Sequence, residues 1–335
     1  MQEYETDVVI VGAGPVGLFM VFQAGMLNMR AHVVDTLDSI GGQCAALYPE
    51  KPIYDIPAYA KITGQDLIDK LEEQAKVFDP VFHLKDQVIA YTSTSDGIIV
   101  TTSANKIIKA KAMVIAGGCG SFGPNRPPIA DIEEYEGKSV FYYIKNRAIF
   151  ENKKIVIAGG GDSAVDWAVS LAEIAKSVAI VHRRPKFRCL PASYEKLLNL
   201  VDSGKIDLII PYQLDNIAGE KGYLNQVIVK DLDDNIKTLE ADYLLAFFGL
   251  SMELGPILNW GLDIKNHHIN VDQATQQTNI EKIYAVGDIC SYKNKLKLIL
   301  TGFSECATAA HDMYKLVFPD KPLHFEHSTT KGTHA

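Results

Sequence analysis

The chain has 335 residues, 47% of them hydrophobic, enough to bury substantial cores and to favour two domains of ordinary size. Its 33 basic against 41 acidic side chains give a formal charge of −8, which argues against nonspecific affinity for nucleic acid. The five cysteines, Cys44, Cys119, Cys189, Cys290 and Cys306, are scattered with no C-x-x-C and no zinc-site spacing, so reduced thiols and no bound metal are expected.

The opening stretch, MQEYETDVVIVGAGPVGLFM, is acidic before its apolar run, and glycines and a proline interrupt that run. Neither a signal peptide nor a membrane helix fits, so a cytoplasmic location is expected. The strand Val8 to Val11 then meets Gly12, Gly14 and Gly17 in G-x-G-x-x-G spacing, followed by a helix-length segment and the strand AHVVD ending in Asp35. Gly12 permits the tight turn, Gly14 lets backbone approach a pyrophosphate, and Gly17 lets the helix pack close to the strand. The helix N-terminus offers unpaired N–H groups to the anion, and Asp35 can accept from a ribose.

Beyond it, DQVIAYTSTSDGIIVTTS reads as a hairpin with an Asp/Gly turn feeding the buried strand AMVIAGG. A second fingerprint follows, with Gly159, Gly161 and Ala164 in G-x-G-x-x-A spacing, and its second strand, VAIVHRR, ends without an acid. An acid there would repel a 2′-phosphate, whereas Arg183 and Arg184, helped by His182, suit one through charge-assisted hydrogen bonds; NADPH is therefore expected over NADH. The alternative is a solvated charged loop. Trp167, on the helix after Ala164, reads as core packing. GYLNQVIVKDLDDNIKTLE and ADYLLAFFG repeat the hairpin and closing strand, so the chain contains two related α/β domains, each with one nucleotide site. Two dinucleotides in one chain imply a hydride passing between them, with a flavin the usual recipient.

These segments, with GGQCAALYPEK from Gly41, GGGDSA at Gly159 to Ala164 and IYAVGDIC at Ile283 to Cys290, resemble the two-dinucleotide-binding flavoproteins of the thioredoxin-reductase-like branch. The resemblance implies two Rossmann-like domains, the NADPH domain (118–280) inserted into a discontinuous FAD domain (1–117 and 281–335). It implies that Asp288 meets the ribityl and pyrophosphate region of FAD, and that a helix starting near Thr301 points its N-terminus at the isoalloxazine; considered alone, VGD could equally be a turn with a helix-capping acid. Thioredoxin reductases carry a redox C-x-x-C where this chain has Tyr142 and Lys145, and neither side chain can cycle between dithiol and disulfide.

The pattern is therefore similar to the thioredoxin-reductase-like ferredoxin–NADP reductases. That family implies Tyr48 stacked on one face of the flavin and His327 on the other, with Ser328 and Thr329 near the ring edge, Gln43 and Phe122 on FAD, and Val88 near the adenine. It also implies a homodimer; one departure is Asp35, which stands where many FAD proteins have the longer Glu. Electrons from NADPH would reach an iron–sulfur carrier such as ferredoxin through FAD; the alternatives are reduction of a diffusible acceptor such as a quinone, or a nucleotide-binding redox sensor. In SYKNKLKLIL, alternation would place Lys293, Lys295 and Lys297 on one side as a ferredoxin-docking stripe, or as lysines guarding a strand edge, with Lys51 and Lys331 the next docking candidates.

Overall fold

A computed structural model describes residues 2–323 of the chain, without the side chains of Phe122, Pro124 and residues 250–252. Its contacts divide the described residues into two compact units, one formed by residues 2–122 and 252–323 and the other by 123–251. The first crossover thus falls close to the expected 117/118. The second comes well before the expected 280/281, and burial explains why. Leu254, Ile257, Trp260, Leu262 and Ile269 join Val9, Ile115 and Ile283 in one apolar core, so the segment after 252 belongs with the first unit. Tyr91 ties it down further, donating its hydroxyl to the Trp260 carbonyl at 2.9 Å.

The first unit is built on a five-stranded sheet in the order Ile283–Ala285, Ala112–Ile115, Val8–Val11, Ala31–Val34, Val81–His83. Every neighbouring pair is parallel. Such strands are covered on both faces, which is why VVIV and AMVI run apolar without alternation and AHVV is apolar apart from His32. Helices Pro15–Met26 and Ile299–Val317 cover one face, where Met20, Ala24, Ala309 and Met313 share a core with Val8 and Val114. The antiparallel strands Val88–Thr94, Gly97–Thr102 and Lys106–Ala110 form a separate sheet, completed by Gln2–Glu5 pairing in parallel.

The second unit repeats the plan. Its parallel sheet runs Val140–Phe141, Tyr243–Ala246, Lys154–Ala158, Ser177–Val181, Ile206–Ile209, with a three-stranded antiparallel meander from Gln213–Glu220 through Tyr223–Lys230 to Ile236–Glu240. Trp167 packs against the core that holds Ile155, Ile180 and Leu245. The strands Ser121–Pro124 and Leu250–Glu253, through which the chain passes between units, pair with each other.

Candidate functional site

In the first unit, strand Val8–Val11 ends at Gly12, whose φ of +110° lies where only glycine is comfortable. Gly17 is packed still more tightly, since a Cβ there would sit 1.9 Å from the Gly12 carbonyl oxygen. The close approach brings the start of helix Pro15–Met26 down onto the turn. That helix has Gly14 at its N-cap, no side-chain cap and no acid in its first turn, so its first amides face the cleft uncapped. Asp35 braces the turn: its Oδ2 accepts from the Ala13 amide at 2.6 Å and its Oδ1 from the Leu37 amide at 2.8 Å. Burial pushes the Asp35 carboxyl above the usual range, and those two amides oppose the rise.

The cleft over this turn spans about 1120 Å³ of space, open solvent included. Gly12, Gly14, Asp35, Gln43, Tyr48, Val88 and Asp288, all expected from the sequence, line it together. Gly17 does not line it and acts through packing. The side chain of Phe122 is not described, though Gly120 and Ser121 just before it are in the wall. His327, Ser328, Thr329 and Lys331 lie outside the described residues.

Several wall residues were not singled out in the sequence. Gly117 and Gly118 form a second glycine turn on the cleft, where a Cβ at Gly117 would meet nothing within 4 Å. The density of glycine in AGGCGSFG was the available signal. Asp86 and Gln87 flank Val88, and Leu254, Pro256 and Ile257 arrive from the far side of the insertion, which no local pattern reveals.

Tyr48 ends the short helix Gly42–Leu47, and its hydroxyl accepts from the Cys44 thiol at 3.6 Å. Burial raises the pKa of Tyr48, Cys44 and Cys119, and the carboxylate of Asp288 adds to the rise in each. These thiols are therefore protonated and poorly nucleophilic at neutral pH. All five cysteines are free.

The second fingerprint keeps its glycine turn but secures it differently. Gly161 caps helix Asp162–Leu171 without a side-chain bond, and Ala164 is buried. The middle glycine, Gly160, is required because a Cβ there would strike the His182 ring at 2.2 Å. His182 thus packs on the turn, with Phe187 4.9 Å away between ring centroids. Burial lowers its pKa first, a backbone hydrogen bond at Lys186 opposes, and Arg183, Arg184 and Arg188 lower it further. Arg183 and Arg184 are exposed. Arg188, also exposed and not singled out in the sequence, donates its amide to the Gly160 carbonyl at 2.7 Å, which places a third arginine beside the turn. Asp162 in the first helical turn accepts from the Leu190 amide at 2.9 Å.

The expected lysine stripe requires correction. Residues 292–298 form no strand, and Lys295 points inward, its side chain 5% exposed and paired with the buried Glu305. Only Lys293 and Lys297 of the three are exposed. Lys51 is half-buried.

Two parallel-sheet units, each opened by a glycine turn at an uncapped helix N-terminus, define a two-nucleotide α/β protein, and a family comparison agrees. The chain belongs to the pyridine nucleotide-disulphide oxidoreductase family, whose model matches residues 6–311. It is 57% identical over 328 residues to the ferredoxin–NADP reductase of Rickettsia akari (strain Hartford), covering 98% of each chain. The reductase of Rickettsia canadensis (strain McKiel) is 58% identical, with 98% of this chain and 97% of that one covered. Among solved structures, Lactococcus lactis thioredoxin reductase superposes with a TM-score of 0.76 at 26% identity, covering 94% of this chain and 99% of that one. The thioredoxin reductase of T. acidophilum gives the same TM-score, 0.76, at 24% identity, with 93% and 98% covered, and shares the fold.

Proposed function

We propose that the chain is an FAD-dependent ferredoxin–NADP reductase that moves a hydride between NADP(H) and FAD and exchanges single electrons with ferredoxin. The observation that carries this reading is full-length similarity to reductases of that name, at 57% identity over 98% of both chains. The first unit holds FAD and the second NADP(H).

The cleft fits FAD by its own geometry. Uncapped amides at the start of Pro15–Met26 suit the pyrophosphate, and the walls at Gly14 and Gly117 leave open the space that a Cβ would fill. Asp35 holds the turn and retains lone pairs for the ribose, Val88 lies toward the adenine with Gln43 along the cofactor, Asp288 faces the ribityl chain, and Tyr48 stacks on the ring. FAD, when bound, accepts two electrons as hydride and releases them singly, matching a two-electron nucleotide to a one-electron iron–sulfur carrier. The chain's part is to bind, orient and exclude water; the described residues supply no dithiol to relay electrons, because Tyr142 donates to Glu136 at 2.7 Å where a thiol would be needed.

In the second unit, Gly159, Gly161 and Ala164 shape the turn for the NADPH pyrophosphate. Arg183, Arg184 and Arg188 bind the 2′-phosphate, and His182 sets the turn beneath them. Among the described residues no helix is long and apolar enough to cross a membrane. A homodimer in the cytoplasm completes the reading.

Turnover of the purified protein with NADPH and ferredoxin, thioredoxin, a quinone or oxygen as acceptor tests it. Ferredoxin-linked turnover should dominate and thioredoxin reduction should be negligible. Faster quinone or oxygen reduction, or NADPH-dependent thioredoxin reduction, would overturn it.

A further inference from the structure

We infer that Glu305, charge-balanced by Lys295, is the positioning residue for Asp288, setting the one carboxylate that the described C-terminal residues present to the cofactor cleft. The inference rests on reading that cleft as the FAD site.

Glu305 stands on helix Ile299–Val317 with its side chain only 2% exposed. A buried carboxylate is costly unless its lone pairs are filled. Its Oε2 accepts from the Gly287 amide at 2.7 Å and lies 3.5 Å from the Cys290 thiol. Its Oε1 accepts from the Tyr292 hydroxyl at 2.7 Å and from the Lys295 ammonium. A carboxylate offers about four lone-pair sites, and here four groups meet them. All four come from the stretch between Gly287 and Lys295, which carries Asp288 and then leads into the helix that bears Glu305.

The geometry behind Asp288 depends on this contact. Gly287 has a φ of +76°, so the turn presenting Asp288 uses the left-handed conformation that favours glycine. On the helix, Gly302 sits one turn before Glu305, and a Cβ there would lie 3.3 Å from the Gly287 Cα and 2.5 Å from Val16. Helix and turn thus touch, and the Glu305–Gly287 hydrogen bond fixes their register. Asp288 and Ile299, the two ends of the intervening loop, both line the cleft. Lys295 supplies the opposing charge to this buried carboxylate beneath the turn.

The experiment is FAD titration of the apo-protein, with the visible flavin spectrum of the complex and the melting temperature of the apo-protein measured alongside. Glu305→Gln leaves Lys295 buried without its partner and should weaken FAD binding about tenfold and change the flavin band. Lys295→Met should cost about threefold. The double variant Glu305→Gln with Lys295→Met should return to within about threefold of wild type, since the amide oxygen can still accept from Gly287 and no buried charge remains. In an Asp288→Asn background, either single change should cost nothing further, because the effect runs through Asp288.

Wild-type affinity and spectrum in Glu305→Gln, no recovery in the double variant, or losses that add to those of Asp288→Asn would each overturn the inference. Should Glu305→Gln not fold, Lys295→Met in the two backgrounds carries the same coupling test, and an additive loss there overturns it. Asp288→Asn alone separates the two levels. If it leaves FAD binding unchanged, the placement of Asp288 on FAD falls together with this inference; if it weakens FAD while Glu305→Gln does not, only this inference falls.

Discussion

Laid strand on strand, the two nucleotide turns share a five-stranded parallel plan and differ in what holds them shut. The first is clamped from the next strand by a carboxylate, with Asp35 accepting from Ala13 and Leu37. The second is clamped by a basic segment that folds back on it, through the His182 ring on Gly160 and the Arg188 amide on the Gly160 carbonyl. A carboxylate clamp leaves a negative lip that suits ribose hydroxyls. The basic clamp leaves three arginines beside the turn, suited to an added phosphate. Under the proposed function, the same fold discriminates between two cofactors through the choice of brace.

The largest effect that could break this comparison concerns the third fingerprint position. Gly17 has no room for a methyl group, whereas the second turn already carries Ala164 there. Gly17→Ala should destabilise the first unit by about 1–3 kcal/mol or more and yield protein depleted in flavin. Ala164→Gly should cost only about 1 kcal/mol through helix propensity and a lost methyl. Melting temperatures and the flavin-to-protein ratio of the two variants check this, and equal losses would mean the turns are packed alike.

Next in size is the basic clamp. Arg183→Ala combined with Arg184→Ala should reduce the preference for NADPH over NADH by about tenfold or more, given about 1.5–3 kcal/mol for each charged hydrogen bond lost. Kd values for both nucleotides measure it. An unchanged ratio would shift the discrimination to Arg188.

The glycine spacings, the strands around them and the acid or base at the strand end were legible because each is a local demand of backbone geometry. Lys295 was misplaced because alternation assumes an extended strand, and the partner that buries it, Glu305, lies on a helix that the alternation ignores. The same limit hid the second crossover. Trp260 and Leu262 look like any apolar residues near a domain end until the core that receives them is known. His182 was read for its charge, and its packing on Gly160 emerged only when the ring was placed.

A pH effect sharpens the contrast at the first unit alone. Below its Asp35 strand, His83 is 4% exposed, facing His32 at 3.1 Å, Lys106 at 3.4 Å and the Tyr4 ring, with Asp86 on the far side of Lys106. Burial, then Lys106 and His32, push its pKa down from 6.5 to about 4, against a smaller opposing pull from Asp86. The folded pKa is below the unfolded one, so the stabilising preference for neutral His83 is complete above pH 6.5 and is lost as pH falls toward 4. The melting temperature of the first unit should fall over that window, and His83→Gln should flatten the fall. An identical pH profile in the variant would remove His83 from the account.

The insertion also sets an order of events during synthesis. Every strand of the second unit's parallel sheet lies between Val140 and Ala246, while the first unit needs strand Ile283–Ala285 and helix Ile299–Val317 to finish its own. At about 5–20 residues per second, the ribosome completes the later-starting unit several seconds before the earlier one has all its parts. During that interval the Ala112–Ile115 edge lacks its Ile283–Ala285 partner, and the apolar face later covered by Ala309 and Met313 stands open to water. The nascent chain therefore carries a finished domain and an unfinished, aggregation-prone one side by side, and its need for a chaperone should be concentrated in the first unit.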